Sequence, residues 1–409
     1  MCGIAGITNS EDLFAINKML RLIEHRGRDE TVIYSPRPNI QLGMNRLAIK
    51  DLRKDLYPMK YKRYYLIFNG EIYNYSELLK SLKKKGMFFH TRSDAEVILP
   101  LFDLYGHKTW NMLDGMFAIS IYDYIKNRLI LIRDKFGEKP LYYFHANDGF
   151  GFSSEIKSLI AISNEKQLNI SKVHEFFKFG YLTGNSTLIH NIYKLPPATY
   201  CTLDVESNSI VLNKYWHPQI NSSHIETNHN KLEDKLDNLI RTSVKSRCMG
   251  DVPIGCFLSG GVDSGLIAYY ARKFVSDLRT FSISFKGHPS ENEGKYSSTL
   301  ARHLNTKHVE IDCTGRDALE VYEKLGNIVD DPIVDSAIIP VHALAKKARN
   351  YVKVVLTGEG GDEFFSGYRH YDEFARLDKI RQLFKLDSFG RKVRNCVPNK
   401  FSYLFKPFY

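Results

Sequence analysis

Apolar residues recur along this chain in two rhythms, and the change from one to the other divides it. In the first half they come in short runs closed by turn-forming residues. Tyr64-Tyr65-Leu66-Ile67-Phe68 leads into Asn69-Gly70, the strongest short hairpin signal. Arg133-Asp134-Lys135-Phe136-Gly137-Glu138-Lys139-Pro140-Leu141-Tyr142-Tyr143 and Phe152-Ser153-Ser154-Glu155-Ile156-Lys157 read as strand, turn and strand, structural in themselves. Ser93-x-x-Glu96 is a capping box that predicts a helix start. Lys194-Leu195-Pro196-Pro197-Ala198 is a stiff crossing, Tyr215-Trp216 follows, and the polar run from Asn221 to Asn230 marks a domain boundary. Beyond it, Lys231 to Arg247 has helical periodicity. Strands and helices then alternate through Ile254–Leu258, Val262–Phe274, Thr280–Phe285, Glu293–Leu304, Lys307–Asp312, a helical region to Val329, Ser336–Arg349 and Val352–Leu356. That alternation predicts a doubly wound parallel sheet. The expected division is 1–212, a linker at 213–230, and 231–409.

Composition adds limits rather than a function. A length of 409 residues predicts two or three domains. No apolar run approaches the ~18 residues of a membrane span, and no signal-peptide pattern opens the chain, so a cytoplasmic protein without membrane partners is expected. The six cysteines lack Cys-x-x-Cys spacing, which argues against a zinc site or a disulfide framework. The net charge of +11 invites a nucleic-acid reading, but from Arg369 onward ten Lys/Arg face only four Asp/Glu. The excess therefore sits largely in a tail with no nucleic-acid motif, and no nucleic-acid partner is expected.

The first candidate chemistry lies where strand Ile254-Gly255-Cys256-Phe257-Leu258 meets Ser259-Gly260-Gly261-Val262-Asp263-Ser264. Two glycines let the backbone turn sharply and approach a ligand, so amide N–H groups, two hydroxyls and a helix N-terminus can face one polyanion. The Gly-Lys-Ser/Thr ending of a Walker loop is missing. The string resembles the pyrophosphate loop of ATP pyrophosphatases, which split ATP between its α and β phosphates. That resemblance implies ATP contacts at Leu258, Ser259, Gly260, Gly261, Asp263 and Ser264, with Asp263 carrying magnesium. It also implies that Ile283 borders the adenine.

The second lies at Met1-Cys2-Gly3. Trimming of Met1 would leave a terminal Cys2 whose thiol attacks an acyl carbon while its own α-amine relays the proton. Its companions are His25-Arg26-Gly27-Arg28-Asp29, Arg46-Leu47-Ala48-Ile49, Asn69-Gly70-Glu71-Ile72-Tyr73-Asn74 and Ser93-Asp94-Ala95-Glu96. Together they resemble the class II glutamine amidotransferases, whose fold is an amino-terminal-nucleophile αββα sandwich. The resemblance implies that Cys2 forms a γ-glutamyl thioester and releases ammonia, and that the Asn69 amide and Gly70 N–H form an oxyanion hole worth ~3–4 kcal/mol per donor. It further implies glutamine binding by Arg46, Ile49, Asn69, Gly70, Glu71 and Asp94, with Arg46 gripping the α-carboxylate in a two-pronged contact. Plainer readings stand beside these: a hairpin at Asn69-Gly70, a capped helix at Asp94, a surface ion pair at Arg46. The family usually has proline at Arg28 and histidine at Met44, so altered loop packing is expected there.

The third is Thr357-Gly358-Glu359-Gly360-Gly361-Asp362-Glu363-Phe364. Acidic groups this close repel one another unless a cation lies among them. With the other strings, this loop resembles glutamine-hydrolysing asparagine synthetases over roughly residues 1 to 375. The resemblance implies that aspartate attacks ATP to give an aspartyl-adenylate and that Thr357 and Gly358 contact ATP. Asp263 and Asp362 would hold magnesium, and Glu359 would handle the incoming ammonia. Glutamine, aspartate and ATP are the expected small-molecule partners, and a homodimer is left open. Two alternatives also stay open: amidation of another carboxylate, such as a sugar acid in surface polysaccharide synthesis, and a glutaminase or scaffold remnant with an impaired second half. Family members carry a catalytic lysine on a helical segment for which these 409 residues offer no counterpart. A truncated reading frame, a substitute lysine or an impaired synthetase half would each account for it.

Overall fold

The structure is a computed structural model that describes residues 1–10, 13–147, 149–163, 166–219, 228–285 and 294–383. Residues 220–227 of the expected linker and the basic tail after Leu383 lie outside the described residues. The first half contains β1 (Gly3–Thr8), β2 (Glu30–Arg37), β3 (Ile40–Arg46), β4 (Met59–Tyr61), β5 (Tyr64–Ile72) and β6 (Gly115–Asp123), then β7 (Arg128–Arg133), β8 (Tyr142–Ala146), β9 (Gly149–Ser153), β10 (Ile192–Lys194), β11 (Thr199–Asp204) and β12 (Ser209–Lys214). They form two antiparallel sheets, in the orders β10-β8-β9-β1-β3-β2 and β12-β11-β7-β6-β5-β4.

Strand side chains alternate between faces, and here both faces of each sheet are covered. Ile67 points between the sheets among Ile4, Leu42, Met44 and Leu131. Its neighbours Leu66 and Phe68 point the other way, against Leu78, Ile98 and Phe102 of the helices Tyr75–Lys84 and Ile98–Tyr105. On the first sheet Ile4 faces inward, while Ala5 packs on Ile16, Met19 and Leu20 of helix Leu13–Leu22 and on Leu159 of helix Ile156–Ile162. The layers are therefore helix, sheet, sheet, helix. Double coverage also explains why β5 reads as a continuous apolar run instead of alternating with polar residues. Met44, where a histidine was expected, is fully buried and belongs to the inter-sheet core.

Two local readings need correction. Asn69-Gly70 is not a hairpin. Asn69 pairs with Ala118 and Gly70 with Phe117 in mid-strand, because β5 continues through Glu71 to Ile72. The expected strand Phe152–Lys157 ends at Ser153, and Ile156 already opens a helix whose apolar face closes over β1.

In the second half, helix His229–Arg247 precedes β13 (Ile254–Phe257), β14 (Arg279–Phe285), β15 (Lys307–Cys313) and β16 (Val354–Leu356), all parallel in the order β15-β14-β13-β16. Helices His229–Arg247, Val262–Phe274 and Gly294–His303 cover one face through Val244, Ala268, Ala271 and Ala301. Helix Ile338–Ala348 covers the other through Leu344 and Ala348. This is a doubly wound sheet. Its topological switch lies between β13 and β16, where such sheets gather ligands.

Candidate functional site

Two sites emerge, one in each half, and a polar seam joins them. In the first half β1 starts one residue after Cys2, so the sheet fixes the thiol. Its Sγ accepts the Leu47 N–H at 3.4 Å and faces the Leu47 carbonyl at 3.7 Å, and Arg26 Nε donates to the Cys2 carbonyl at 3.1 Å. Burial pushes the thiol up, and the Leu47 contact opposes that rise. Burial also pushes the Met1 α-amine down to about 6 against the field of Cys2.

Asn69 is 1% exposed, and neither its amide nitrogen nor its amide oxygen has a hydrogen-bond partner among the described residues. An orphaned buried amide costs on the order of 1–3 kcal/mol per group, so stability alone does not favour an amide at this position. Next to it, a side chain on Gly70 would meet the Met116 carbonyl at 2.2 Å, so only glycine fits. Asp94 is buried and accepts the Ile72 N–H at 2.5 Å. Ser93 caps the turn Asp94–Val97 through the Ala95 N–H, but Glu96 reaches the His90 and Thr91 amides, so the expected box is not reciprocal. Burial, and then the Asp94 charge, push the Glu71 carboxyl up to about 8. A cation entering this pocket would meet the Asp94 charge and favour ionisation of Glu71.

Arg46 is 4% exposed and is no surface ion pair. It sits 3.2 Å from Glu30 and donates to the carbonyls of Asp51 and Arg53, so the loop after β3 wraps its guanidinium. Ile49 of that loop gives its carbonyl to the Asp251 N–H of the second half at 3.0 Å. The outer wall of the loop borders an open cavity of about 760 Å³, lined by residues that include Asp51, Arg53, Arg92 and Asp251.

In the second half, β13 and β16 each end in a loop, and the two loops pack together. Gly260 adopts φ +96°, the left-handed region that glycine enters freely. Ser259 and Ser264 face each other with Oγ atoms 3.0 Å apart, and the Gly261 N–H reaches Ser259 Oγ at 3.2 Å. A side chain on Gly358 would lie 2.7 Å from the Ser264 nitrogen, and one on Gly361 would lie 2.7 Å from the Asp263 carboxyl. Glycine-only packing thus brings the acidic loop onto Asp263 and Ser264. Leu258 is buried and bonded to the Phe281 carbonyl, Ile283 packs in the core near the end of β14, and Glu359 is exposed. Among the described residues no three His, Cys, Asp or Glu side chains form a ready metal cluster. Asp263 and Asp362 on these packed loops instead fit a cation that takes one or two carboxylates and completes its shell from substrate phosphates, as magnesium does.

With this geometry in place, family comparison is decisive. A family described as glutamine amidotransferase domain matches residues 1–216, and one described as asparagine synthase matches residues 235–401. A Methanocaldococcus jannaschii protein provisionally named asparagine synthetase [glutamine-hydrolyzing] 2 is 35% identical over 98% of this chain and 81% of its own length. This chain belongs to the glutamine-hydrolysing asparagine synthetase family. Asparagine synthetase [glutamine-hydrolyzing] 1 of Bacillus subtilis is 34% identical over 94% of this chain, which spans 61% of that relative. Asparagine synthetase B of Escherichia coli is 29% identical over 93% of this chain and 67% of its own length. A solved glutamine phosphoribosylpyrophosphate amidotransferase from B. subtilis covers 76% of this chain at 14% identity and TM-score 0.41, too loose a likeness to align a site residue.

In this family member the structure also places residues that local sequence reasoning left out. Asp134, fully buried, takes the Phe117, Phe136, Glu138 and Lys139 amides and so shapes the loop that carries Lys139 to within 3.2 Å of Met1 Sδ. Phe136 of that loop meets Phe364 of the acidic loop edge to face, centroids 6.1 Å apart. Lys353 reaches across to Asp29 at 2.7 Å. The strings containing Asp134 and Glu155 read as strand and turn; the Asp134 contacts are mostly local to its turn, whereas Glu155 pairs with Arg26, 129 positions away, too far to be matched by spacing.

Proposed function

We propose that this protein makes asparagine from aspartate, ATP and glutamine. The first half hydrolyses glutamine at Cys2. Arg46, Glu71 and Asp94 hold the amino acid's carboxylate and ammonium, Cys2 attacks the side-chain amide carbon, and the Asn69 amide and Gly70 N–H stabilise the oxyanion. The second half binds ATP at residues 258–264, Ile283 and residues 357–358. There an aspartate carboxylate attacks the α phosphorus, forming a carboxyl–phosphorus bond and releasing pyrophosphate. Ammonia from the first half then displaces AMP from the acyl carbon, with Glu359 placed to take its proton. Magnesium would be held by Asp263 and Asp362 and would neutralise phosphate charge. The domain division at 213–230 belongs to this reading.

The observation that carries it is the Asn69 amide, buried with no partner among the described residues, on β5 of the sheet that faces the one continuing from Cys2: a fold that only needed stability would fill the position with an apolar residue. The test is to incubate the protein with glutamine, aspartate and magnesium-ATP, then quantify glutamate, pyrophosphate and asparagine together. Equal rise of all three supports the reading. Glutamate without pyrophosphate would reduce it to a glutaminase.

A further inference from the structure

A chain of charged contacts leads from the second half to the backbone of Cys2. The Lys157 ammonium donates to the Asn327 carbonyl at 2.8 Å and lies 3.2 Å from one Asp330 oxygen, while the Lys157 N–H donates to the other at 3.3 Å. The same ammonium pairs with Glu155 at 2.9 Å. The other Glu155 oxygen takes Arg26 at 2.8 Å and His25 at 2.9 Å, and Arg26 in turn holds the Cys2 carbonyl. The Arg26, Glu155 and Asp330 side chains are only about a tenth exposed, so solvent screens these contacts little. Burial alone would raise the Glu155 carboxyl, but His25, Arg26 and Lys157 together hold it down to about 2.

A neighbouring staple provides a contrast. Lys194 and Tyr142 each reach Asp331 at 2.9 Å, which ties the halves together through strands β10 and β8, and neither contacts Glu155 or Arg26. Two adjacent acids, Asp330 and Asp331, therefore serve different routes.

We infer that Lys157 is a positioning residue that transmits the seating of segment 327–331 to the Cys2 backbone. The inference rests on Cys2 being the nucleophile proposed above. Without the ammonium, one Glu155 oxygen loses its fixed partner. The carboxylate can then rotate, Arg26 follows it, and the thiol no longer meets the amide carbon at a constant angle.

The test uses the full 409-residue chain. Glutamate release is followed against glutamine concentration, and Cys2 alkylation by iodoacetamide is followed by peptide mass mapping. Lys157→Met is expected to lower kcat about tenfold with KM within about twofold, and to shift the Cys2 alkylation rate. Lys157→Arg should recover most of the loss, and Lys194→Met should leave both rates within about twofold. Asp330→Asn added to Lys157→Met should cost nothing more, because both cut one route. Equal losses in Lys194→Met and Lys157→Met would show general loosening of the seam and overturn the inference. So would multiplying effects in the double variant, or an unchanged Lys157→Met, with Cys2 keeping its role in each case. Glutaminase activity surviving in Cys2→Ala would instead remove the nucleophile, and the inference with it.

Discussion

Replacing Asn69 by leucine separates stability from catalysis. The two residues are similar in volume, and the position is 1% exposed in a packed strand. Both amide atoms are buried without a partner among the described residues. Leaving such groups desolvated costs about 1–3 kcal/mol each, so removing them while keeping apolar contact should stabilise the first half by on the order of 2 kcal/mol. If the amide donates to the oxyanion, the same change should lower glutaminase kcat by about 10²–10³-fold, the usual loss for one such donor. The fluorescence of Trp110, fully buried against Phe102, reports unfolding of this half in urea. A higher urea midpoint with a collapsed kcat and a nearly unchanged glutamine KM is the expected signature. A less stable variant with retained kcat would refute the reasoning, since Asn69 would then be an ordinary structural residue.

Gly358→Ala should push the acidic loop off Ser264, because its methyl would lie 2.7 Å from the Ser264 nitrogen; ATP-dependent pyrophosphate release should fall at least about tenfold while glutaminase activity holds. Glu155 is ionised in the folded state well below its ordinary value of 4.5, so its contribution, on the order of 3 kcal/mol, is present above that value and lost as pH falls from 4.5 toward about 2. Urea titrations across that range should show the loss in wild type and much less of it in Glu155→Gln. Glu71, pushed up to about 8 by burial and then Asp94, should shed its proton when the glutamine ammonium arrives at pH 7; calorimetry in buffers of different ionisation enthalpy should detect the release, and Glu71→Gln should abolish it. Asp251→Ala removes the 3.0 Å acceptor of the Asp51 N–H beside the carbonyl that holds Arg46, so glutamine KM should rise about fivefold with kcat unchanged in steady-state assays.

What could be read from the sequence followed from how local each feature is. The phosphate loop and its helix are one contiguous string, and the chain order of strand, Ser-Gly-Gly and helix survives unchanged in β13 and Val262–Phe274. The Asn69-Gly70 pair gave a false structural signal, because it lies in mid-strand and not in a turn. Its glycine is required not by a turn but by the Met116 carbonyl of the partner strand, which no local reading can supply. Arg46 is a similar case: its type pointed to carboxylate binding, while its burial depends on the loop Leu47 to Arg53 folding back over it. The Lys157 contacts with Asn327 and Asp330 join residues 170 or more positions apart, and contacts at that separation leave no periodic trace.

The seam also sets how close the two candidate sites lie along the strands. Asp251 lies three residues before β13 and Lys353 directly before β16, and both reach the first half, at Ile49, Asp51 and Asp29. The ends of the same two strands carry Ser259 and Gly358. At about 3.3 Å per residue, the four residues of β13 and the three of β16 put only about 10–13 Å of paired strand between the contacts to the loop that holds Arg46 and the Ser-Gly-Gly turn with its packed acidic loop. A hydrogen-bonded pair of strands is stiff over that distance. The acidic loop and the loop that holds Arg46 are therefore joined by a short, paired path.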